Sequence, residues 1–241
     1  MRTRFAILLL LMTGLTWCAQ TQVASKADAP YYVVFLRPAA DRKTLTKEEG
    51  ERIQAAHMAN IHKMAQDGVL VSAGPFDDAT RTISGIFIFK GGSLEAAQAL
   101  AEKDPTVVEH RNTVDAHAWL GPAGIGDEYA RLHKLDPTTP ENMQVHPLCM
   151  LYRGAAWEGK ESTRDSLITA HKEYVDRLRT EGKLGAAGAM VPPDELVGLV
   201  IFKAIPFEEA QKQMEDDPAV KAGVLRVEYH HWWSSDHVLP W

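Results

Sequence analysis

The chain has 241 residues, 45% of them hydrophobic and 24% charged, with a net charge of −6. That balance excludes disordered, collagen-like and coiled-coil chains, and the acidic charge excludes the basic footprint of a nucleic-acid binder. At roughly 150 residues per domain, the length holds one or two domains with real cores.

Residues 1–29 read as a signal peptide and its lead. Arg2 and Arg4 precede the apolar run Phe5–Met12, Gly14 and Leu15 follow, and small and polar residues come next. A basic start, a short apolar run and a small-residue exit mark a secretory signal, too short to span a bilayer as a helix. Ala24, Ser25 and Ala29 each offer a cleavage point, with Pro30 arguing against the last. Cys18 raises lipid anchoring as an alternative, against which the bulky Trp17 argues. No later stretch approaches a membrane span, so the expectation is an exported protein, periplasmic or secreted. Without residues 1–29 the chain carries 23 basic and 31 acidic residues, a net charge of −8, and Cys149 alone among cysteines. One cysteine makes no internal disulfide, and inside the apolar run Leu148–Tyr152 it reads as a small core hydrophobe.

From residue 30 onward, strands are expected near 31–37, 69–73, 84–89 and 112–119, with helices near 47–67 and 93–103. Thr46-Lys47-Glu48-Glu49 is a capping-box pattern opening the first helix, and Gly68 stops it in the usual left-handed role. Residues 121–143, from Gly121-Pro122 through Pro137 and Pro140, read as a linker. A second set follows, with strands near 147–153, 183–187, 196–202 and 224–233 and helices near 163–181 and 206–216.

The second set repeats the first. At an offset of 114, Ala56-His57 falls on Ala170-His171, Gly68 on Gly182 and Ala73-Gly74 on Ala187-Gly188. One deletion later, at 113, Ile88-Phe89-Lys90 falls on Ile201-Phe202-Lys203, Asp104-Pro105 on Asp217-Pro218, and His117 and Trp119 on His230 and Trp232. A single shift of register over so many matches is duplication. The expected units are therefore 30–120 and 144–241. Each reads strand, helix, strand, strand, helix, strand, the ferredoxin-like βαββαβ order. The strands Tyr31–Leu36, Ile86–Phe89, Leu148–Tyr152 and Leu199–Phe202 are apolar without alternation. A sheet with one wet face alternates, so both faces must be covered, most simply by the sheet of the other copy. The fold class is α+β, two ferredoxin-like repeats packed as an intramolecular dimeric α/β barrel.

These residues resemble the YciI-like (YCII-related) family. The resemblance rests on the His57 helix, Gly68-Val69-Leu70, Ala73-Gly74-Pro75-Phe76, and Ser93-Leu94-Glu95-Ala96-Ala97 leading to Asp104-Pro105. It covers 31–120 and, more weakly, 147–235, where Ala189 stands in place of the expected proline. It implies small dimeric α/β barrels with a histidine and an aspartate in common, and for a tandem copy an internal pseudo-dimer in place of the homodimer. The expected assembly is thus a monomer, with higher assembly left open.

His57 shares a helical stripe with Ile53, Ile61 and Met64, and His171 with Leu167, Val175 and Leu178, which puts both on an inward face. The topology would bring Arg37, His57, Gly74-Pro75 and Asp104 to one rim, and Arg153, His171, Gly188 and Asp217 to its counterpart. There each aspartate could orient an imidazole for proton transfer, arginine could pair with an anionic group, and glycine could let a ligand approach the backbone. Every part has a bland reading. The histidines serve as core groups bonded to backbone; Asp104-Pro105 and Asp217-Pro218 serve as helix starts; the arginines make surface ion pairs; the glycines make turns. No histidine spacing fits a metal site. His117 and His230 occupy equivalent strand positions that could approach one another across the two copies. Trp119, Trp232 and Trp233 read as core or interface filler. No phosphate loop or nucleophile elbow is present, so no cofactor is called for. The expected partner is a small molecule, acted on by His57 and Asp104 through acid/base proton transfer of lyase or isomerase type, with His171 and Asp217 as a second set. The alternative is a non-catalytic barrel that binds a small ligand and uses the same pairs structurally.

Overall fold

The computed structural model describes residues 28–241; the signal segment expected at the start lies outside them except for Asp28 and Ala29. In chain order the elements of the first copy are β1 (Asp28–Pro38), α1 (Lys47–Gln66), β2 (Leu70–Pro75), β3 (Gly85–Lys90), α2 (Leu94–Ala101), α3 (Pro105–Val108) and β4 (Asn112–Pro122). After α4 (Asp127–Leu135), the second copy runs β5 (Met143–Arg153), α5 (Glu161–Thr180), β6 (Leu184–Met190), β7 (Leu196–Phe202), α6 (Phe207–Glu215), α7 (Pro218–Lys221) and β8 (Leu225–Ser235). Strand β1 starts inside the segment read as lead, because Asp28 and Ala29 pair with Pro122 and Gly121. Helix α4 stands in the segment read as linker. Among the described residues no helix is long and apolar enough to cross a membrane.

The eight antiparallel strands form one sheet in the order β2-β3-β1-β4-β6-β7-β5-β8. The two copies meet where Trp119 of β4 pairs with Met190 of β6. The sheet curls round to close where Phe76, just beyond β2, bridges to Trp232 of β8 and Asp77 N donates to His231 O at 3.0 Å. The two seams are the same contact made twice, since Met190 and Trp232 repeat Phe76 and Trp119 at offsets of 114 and 113. The alternation of side chains along each strand explains the unbroken apolar runs. Val33, Phe35, Ile86 and Ile88 point into the barrel with Leu148, Met150, Leu199 and Ile201. Their neighbours Val34, Leu36, Phe87 and Phe89 point outward, under α1 and α2. Cys149, Leu151, Val200 and Phe202 do the same under the helices of the second copy. Each of these fully buried side chains contributes about 1.5–3 kcal/mol of apolar transfer. Burial also pushes the Cys149 thiol up, away from the reactive thiolate.

Strand pairing corrects one correspondence. Arg37 pairs with Thr113, whereas the residue 113 positions beyond Thr113, Arg226, pairs with Tyr152. Tyr152, not Arg153, is therefore the counterpart of Arg37. Across the barrel β1 and β5 run in the same direction, so the pseudo-twofold axis lies along the barrel. One end is plugged by Ile125 and its counterpart Val238, 0% and 4% exposed. Tyr31 fixes that plug, its hydroxyl donating to Pro122 O and accepting from Gly124 N and Ile125 N, each at 3.2 Å. The opposite end, where β1 and β5 finish at Arg37 and Tyr152, carries polar side chains.

Candidate active site

Helix α1 holds His57, and its position is locked from its first turn. Thr46 Oγ1 accepts from Glu49 N at 3.2 Å, and Thr46 N donates to Glu49 Oε2 at 2.8 Å, the reciprocal capping box expected from the sequence. Gly68, with φ of +74°, ends that segment in a conformation that costs a Cβ-bearing residue dearly. Asp104 sits at the start of the short α3, where its Oδ1 accepts from Thr106 N at 3.0 Å.

The same carboxylate reaches His57. Its Oδ1 and Oδ2 lie 2.9 and 2.8 Å from His57 Nδ1, and Oδ2 also accepts from Asn60 Nδ2 at 2.9 Å. Thr106 Oγ1 adds a bond of 2.6 Å to Oδ1. Asp104 is 0% exposed. Burial works against its charge, but the hydrogen bonds from His57, Thr106 and Asn60 prevail and hold its carboxyl below the usual range. An ionised carboxylate only accepts, so Nδ1 of His57 carries the ring proton and Nε2 is left as the acceptor. Among the histidines of the described residues, His146 and His230 have a buried ring nitrogen without a partner. Nε2 of His57 is not one of them, and the 15% exposure of its side chain leaves that atom open to the surface. The ring stacks on Phe87 at 6.0 Å and 28°.

The second copy repeats the pair and strips its support. His171 Nδ1 lies 2.6 Å from Asp217 Oδ2, with Asp217 fully buried. Asp217 Oδ1 accepts from Ala219 N and Val220 N at 2.8 and 3.3 Å. In the first copy the network continues outward: Asn112 Nδ2 donates to Thr106 Oγ1 at 3.0 Å and Ser84 Oγ donates to Asn112 Oδ1 at 2.8 Å. The positions that repeat Asn60, Thr106, Asn112 and Ser84 are Tyr174, Ala219, Leu225 and Val197. Tyr174 turns its hydroxyl to Gln213 O at 2.6 Å instead. Sequence reasoning missed these four supports, although the polar-to-apolar differences between aligned copies were there to read.

The other expected site residues do not gather at these pairs. Arg37 shares the inward parity of Val33 and Phe35, so it lies across the sheet from His57 and pairs with Asp115 Oδ2 at 2.7 Å. Arg153 stands over the Trp157 ring at 5.2 Å, 3.9 Å from Glu195. Gly74 and Gly188 lie at the two seams. A Cβ on Gly74 would meet Trp233 O at 1.9 Å, and one on Gly188 would meet Leu120 O at 2.1 Å. Their freedom from a side chain serves the close approach of neighbouring strands, with Pro75 beside Gly74 at the end of β2. His117 and His230 do face inward from opposite strands, but each turns to its own carboxylates. His230 Nδ1 lies 2.7 Å from Asp78, and His117 Nε2 lies 2.8 Å from Asp115. Trp119 and Trp232 are buried filler of the barrel interior. A groove of about 800 Å³ runs beside α1 from Leu45 to Met58 and does not include His57.

The YCII-related domain matches this chain twice, at residues 31–114 and 148–232. Comparison with curated proteins gives no match. Among solved structures, a heme-binding protein from Thermus thermophilus superposes with a TM-score of 0.51 at 12% identity, over 88% of this chain and 93% of that one. Chlorite dismutase from Candidatus Nitrospira defluvii in complex with imidazole superposes with a TM-score of 0.52 at 10% identity, over 86% and 92%. A variant of the same enzyme gives 0.55 at 10% identity, again over 86% and 92%. At these identities the likeness is one of fold.

Proposed function

The chain belongs to the YCII-related domain family, in two tandem copies, and from that premise we propose that it is an exported small-molecule enzyme whose first copy carries out acid/base proton transfer. The observation that carries this reading is the buried Asp104 carboxylate gripping His57 Nδ1 with both oxygens while Nε2 stays open. A carboxylate on one ring nitrogen fixes the tautomer and stabilises the imidazolium that forms when the other nitrogen takes a proton. His57 Nε2 is then the group that removes a proton from an acidic carbon or hydroxyl and returns it. Asp104 is a positioning residue, and it does not itself exchange the proton. Asn60, Thr106, Asn112 and Ser84 hold Asp104 in turn.

His171 and Asp217 form a second pair of the same design. We assign it the lesser share, because Tyr174, Ala219, Leu225 and Val197 give its carboxylate none of that side-chain support. Whether as acid/base or as ligand grip, the working unit is one chain, since the two copies already complete the barrel. The heme and chlorite dismutase named for the structural neighbours enter as outcomes of the test rather than as its premise.

The test is deuterium wash-in from D₂O into a panel of small enolisable acids and hydroxyaromatics. The full chain is compared with His57→Gln, Asp104→Asn and His171→Gln, with heme titrated in parallel. Exchange that falls at least 100-fold in His57→Gln, within the range general acid–base catalysis supplies, and that persists in His171→Gln supports the reading. Exchange indifferent to His57 overturns it.

A further inference from the structure

The open end of the barrel holds a second group of polar side chains, on the opposite face of the sheet from His57. Thr113, Asp115 and His117 alternate inward along β4, and Arg226, Glu228 and His230 alternate inward at the matching positions of β8. Between them, near the pseudo-twofold axis, stand Arg37 and Tyr152. Were this only the residue of a duplication, the two halves would match. They do not: arginine faces tyrosine, threonine faces arginine, and aspartate faces glutamate. Arg37 and Tyr152, counterparts in the two copies, stand close together, so the mouth forms one unsymmetrical site rather than two equal ones.

We propose that this mouth binds the carboxylate of a small organic acid, with Arg37 and Tyr152 as its grip. Asp115 accepts from Arg37 Nε at 2.7 Å and so aims the guanidinium, which stands close to Tyr152. The terminal nitrogens of an arginine held in this way match a carboxylate. The Tyr152 hydroxyl is held on its donor side only by Met150 Sδ, at 3.8 Å, a weak acceptor that a carboxylate oxygen displaces. Beneath Arg37, 5.9 Å from its guanidinium carbon, lies the fully buried Phe35 ring, which backs the guanidinium. Arg226 stands over the Tyr152 ring at 4.6 Å and is tied to Glu228 at 2.7 Å. The residues stay open to water, Arg37 and Asp115 each with 32% of the side chain exposed, while the far end is plugged.

Two features define the occupant. The carboxylates Asp115 and Glu228 stand beside Arg37 and Arg226, so a compact dianion such as phosphate meets about twice the repulsion that a single carboxylate does. Buried ring nitrogens without partners also line the interior, among them His230 Nε2, whose ring is held at Nδ1 by Asp78 and whose side chain is 5% exposed. A buried polar atom left open is what a bound polar group or its water would satisfy.

Benzoate is the probe, titrated into the full chain by NMR and calorimetry, with inorganic phosphate as the comparison. The expected result is saturable benzoate binding that weakens at least tenfold in Arg37→Gln and several-fold in Tyr152→Phe. It is unchanged in His57→Gln, and phosphate gives no saturable response. Tyr152→Phe decides the matter if Arg37→Gln fails to fold. Absence of saturable binding overturns the proposal, as do benzoate binding that ignores both mouth variants, binding lost in His57→Gln instead, and phosphate binding as tight as benzoate. The proton-exchange reading of His57 stands or falls separately, on its own assay.

Discussion

Asp104→Asn and Asp217→Asn make the sharpest comparison, because the two aspartates hold equivalent positions, each before a proline, and have different neighbours in space. Asparagine can keep Oδ1 toward the backbone N–H groups at either position. At Asp104 the new NH₂ group then faces His57 Nδ1–H and Asn60 Nδ2–H₂, which now hold Asp104 at 2.8 and 2.9 Å. The Asn60 bond to a charge, worth about 1.5–3 kcal/mol, is lost, and His57 keeps only a weaker neutral bond to Oδ1, 2.9 Å from its Nδ1. The expected cost is about 3 kcal/mol. At Asp217 only the bond to His171 is affected, and a flipped tautomer restores it in neutral form, so the expected cost is about 1 kcal/mol. For a chain of this size each kcal/mol moves the midpoint by roughly 2–4 °C. Urea and thermal unfolding of both variants, under conditions where refolding is complete, measure the pair. Equal losses, or a larger loss at Asp217, would refute the claim that the first site is the better supported.

Gly188→Ala should lower the thermal midpoint by an amount corresponding to about 1–3 kcal/mol or more, the usual cost of overpacking, because the added carbon meets Leu120 O at 2.1 Å in the seam; a midpoint unchanged from wild type would mean that the strands do not meet there. Hydrogen bonds from His117 and Arg37 outweigh burial and hold the Asp115 carboxyl down at about 2. Its contribution is therefore complete above the unfolded value of about 3.9 and is lost as pH falls toward 2, roughly 1 kcal/mol once discounted for solvent screening; unfolding followed from pH 6 to pH 2 should show a steeper acid loss in wild type than in Asp115→Asn. Cys149 should resist thiol reagents in the native chain and react on unfolding, since it is 0% exposed and burial disfavours its thiolate; rapid native labelling would contradict its place in the core.

The fold was legible in the sequence because two of its causes are local. Repetition at offsets of 114 and 113 exposed the duplication, and unbroken apolar strands such as Tyr31–Leu36 required cover on both faces. Thr46 and Gly68 marked the ends of the helix that carries His57, and Asp104 acts both as helix start and as partner of the histidine, so the bland and functional readings proved compatible. What stayed hidden depends on register. Arg37 and Arg153 each end a first strand, yet only strand pairing reveals that Tyr152 is the counterpart of Arg37 and that the two arginines point to opposite faces. Gly74 and Gly188 look like turn or ligand glycines until the neighbouring strand arrives from the other copy. Helix α4 was masked by the glycines and prolines around it, although Asp127 and Glu128 in its first turn and His133 and Lys134 in its last are suitable helix-end charges. The inward series Thr113, Asp115, His117 has the period of two that marks one strand face, but a polar series facing a barrel interior reads in sequence as a series facing water.

The measurement that goes most directly to the central claim is a long-range ¹⁵N–¹H correlation spectrum of the histidine side chains, recorded well above neutral pH on the full chain and on Asp104→Asn. Asp104 gripping Nδ1 predicts that His57 carries its proton on Nδ1 in the wild type, leaving Nε2 free to act as a base, and that the Nδ1–H signal shifts in Asp104→Asn as its bond to a charge becomes a neutral one. A wild-type His57 protonated on Nε2, or an Nδ1–H signal that ignores the substitution, would contradict the account.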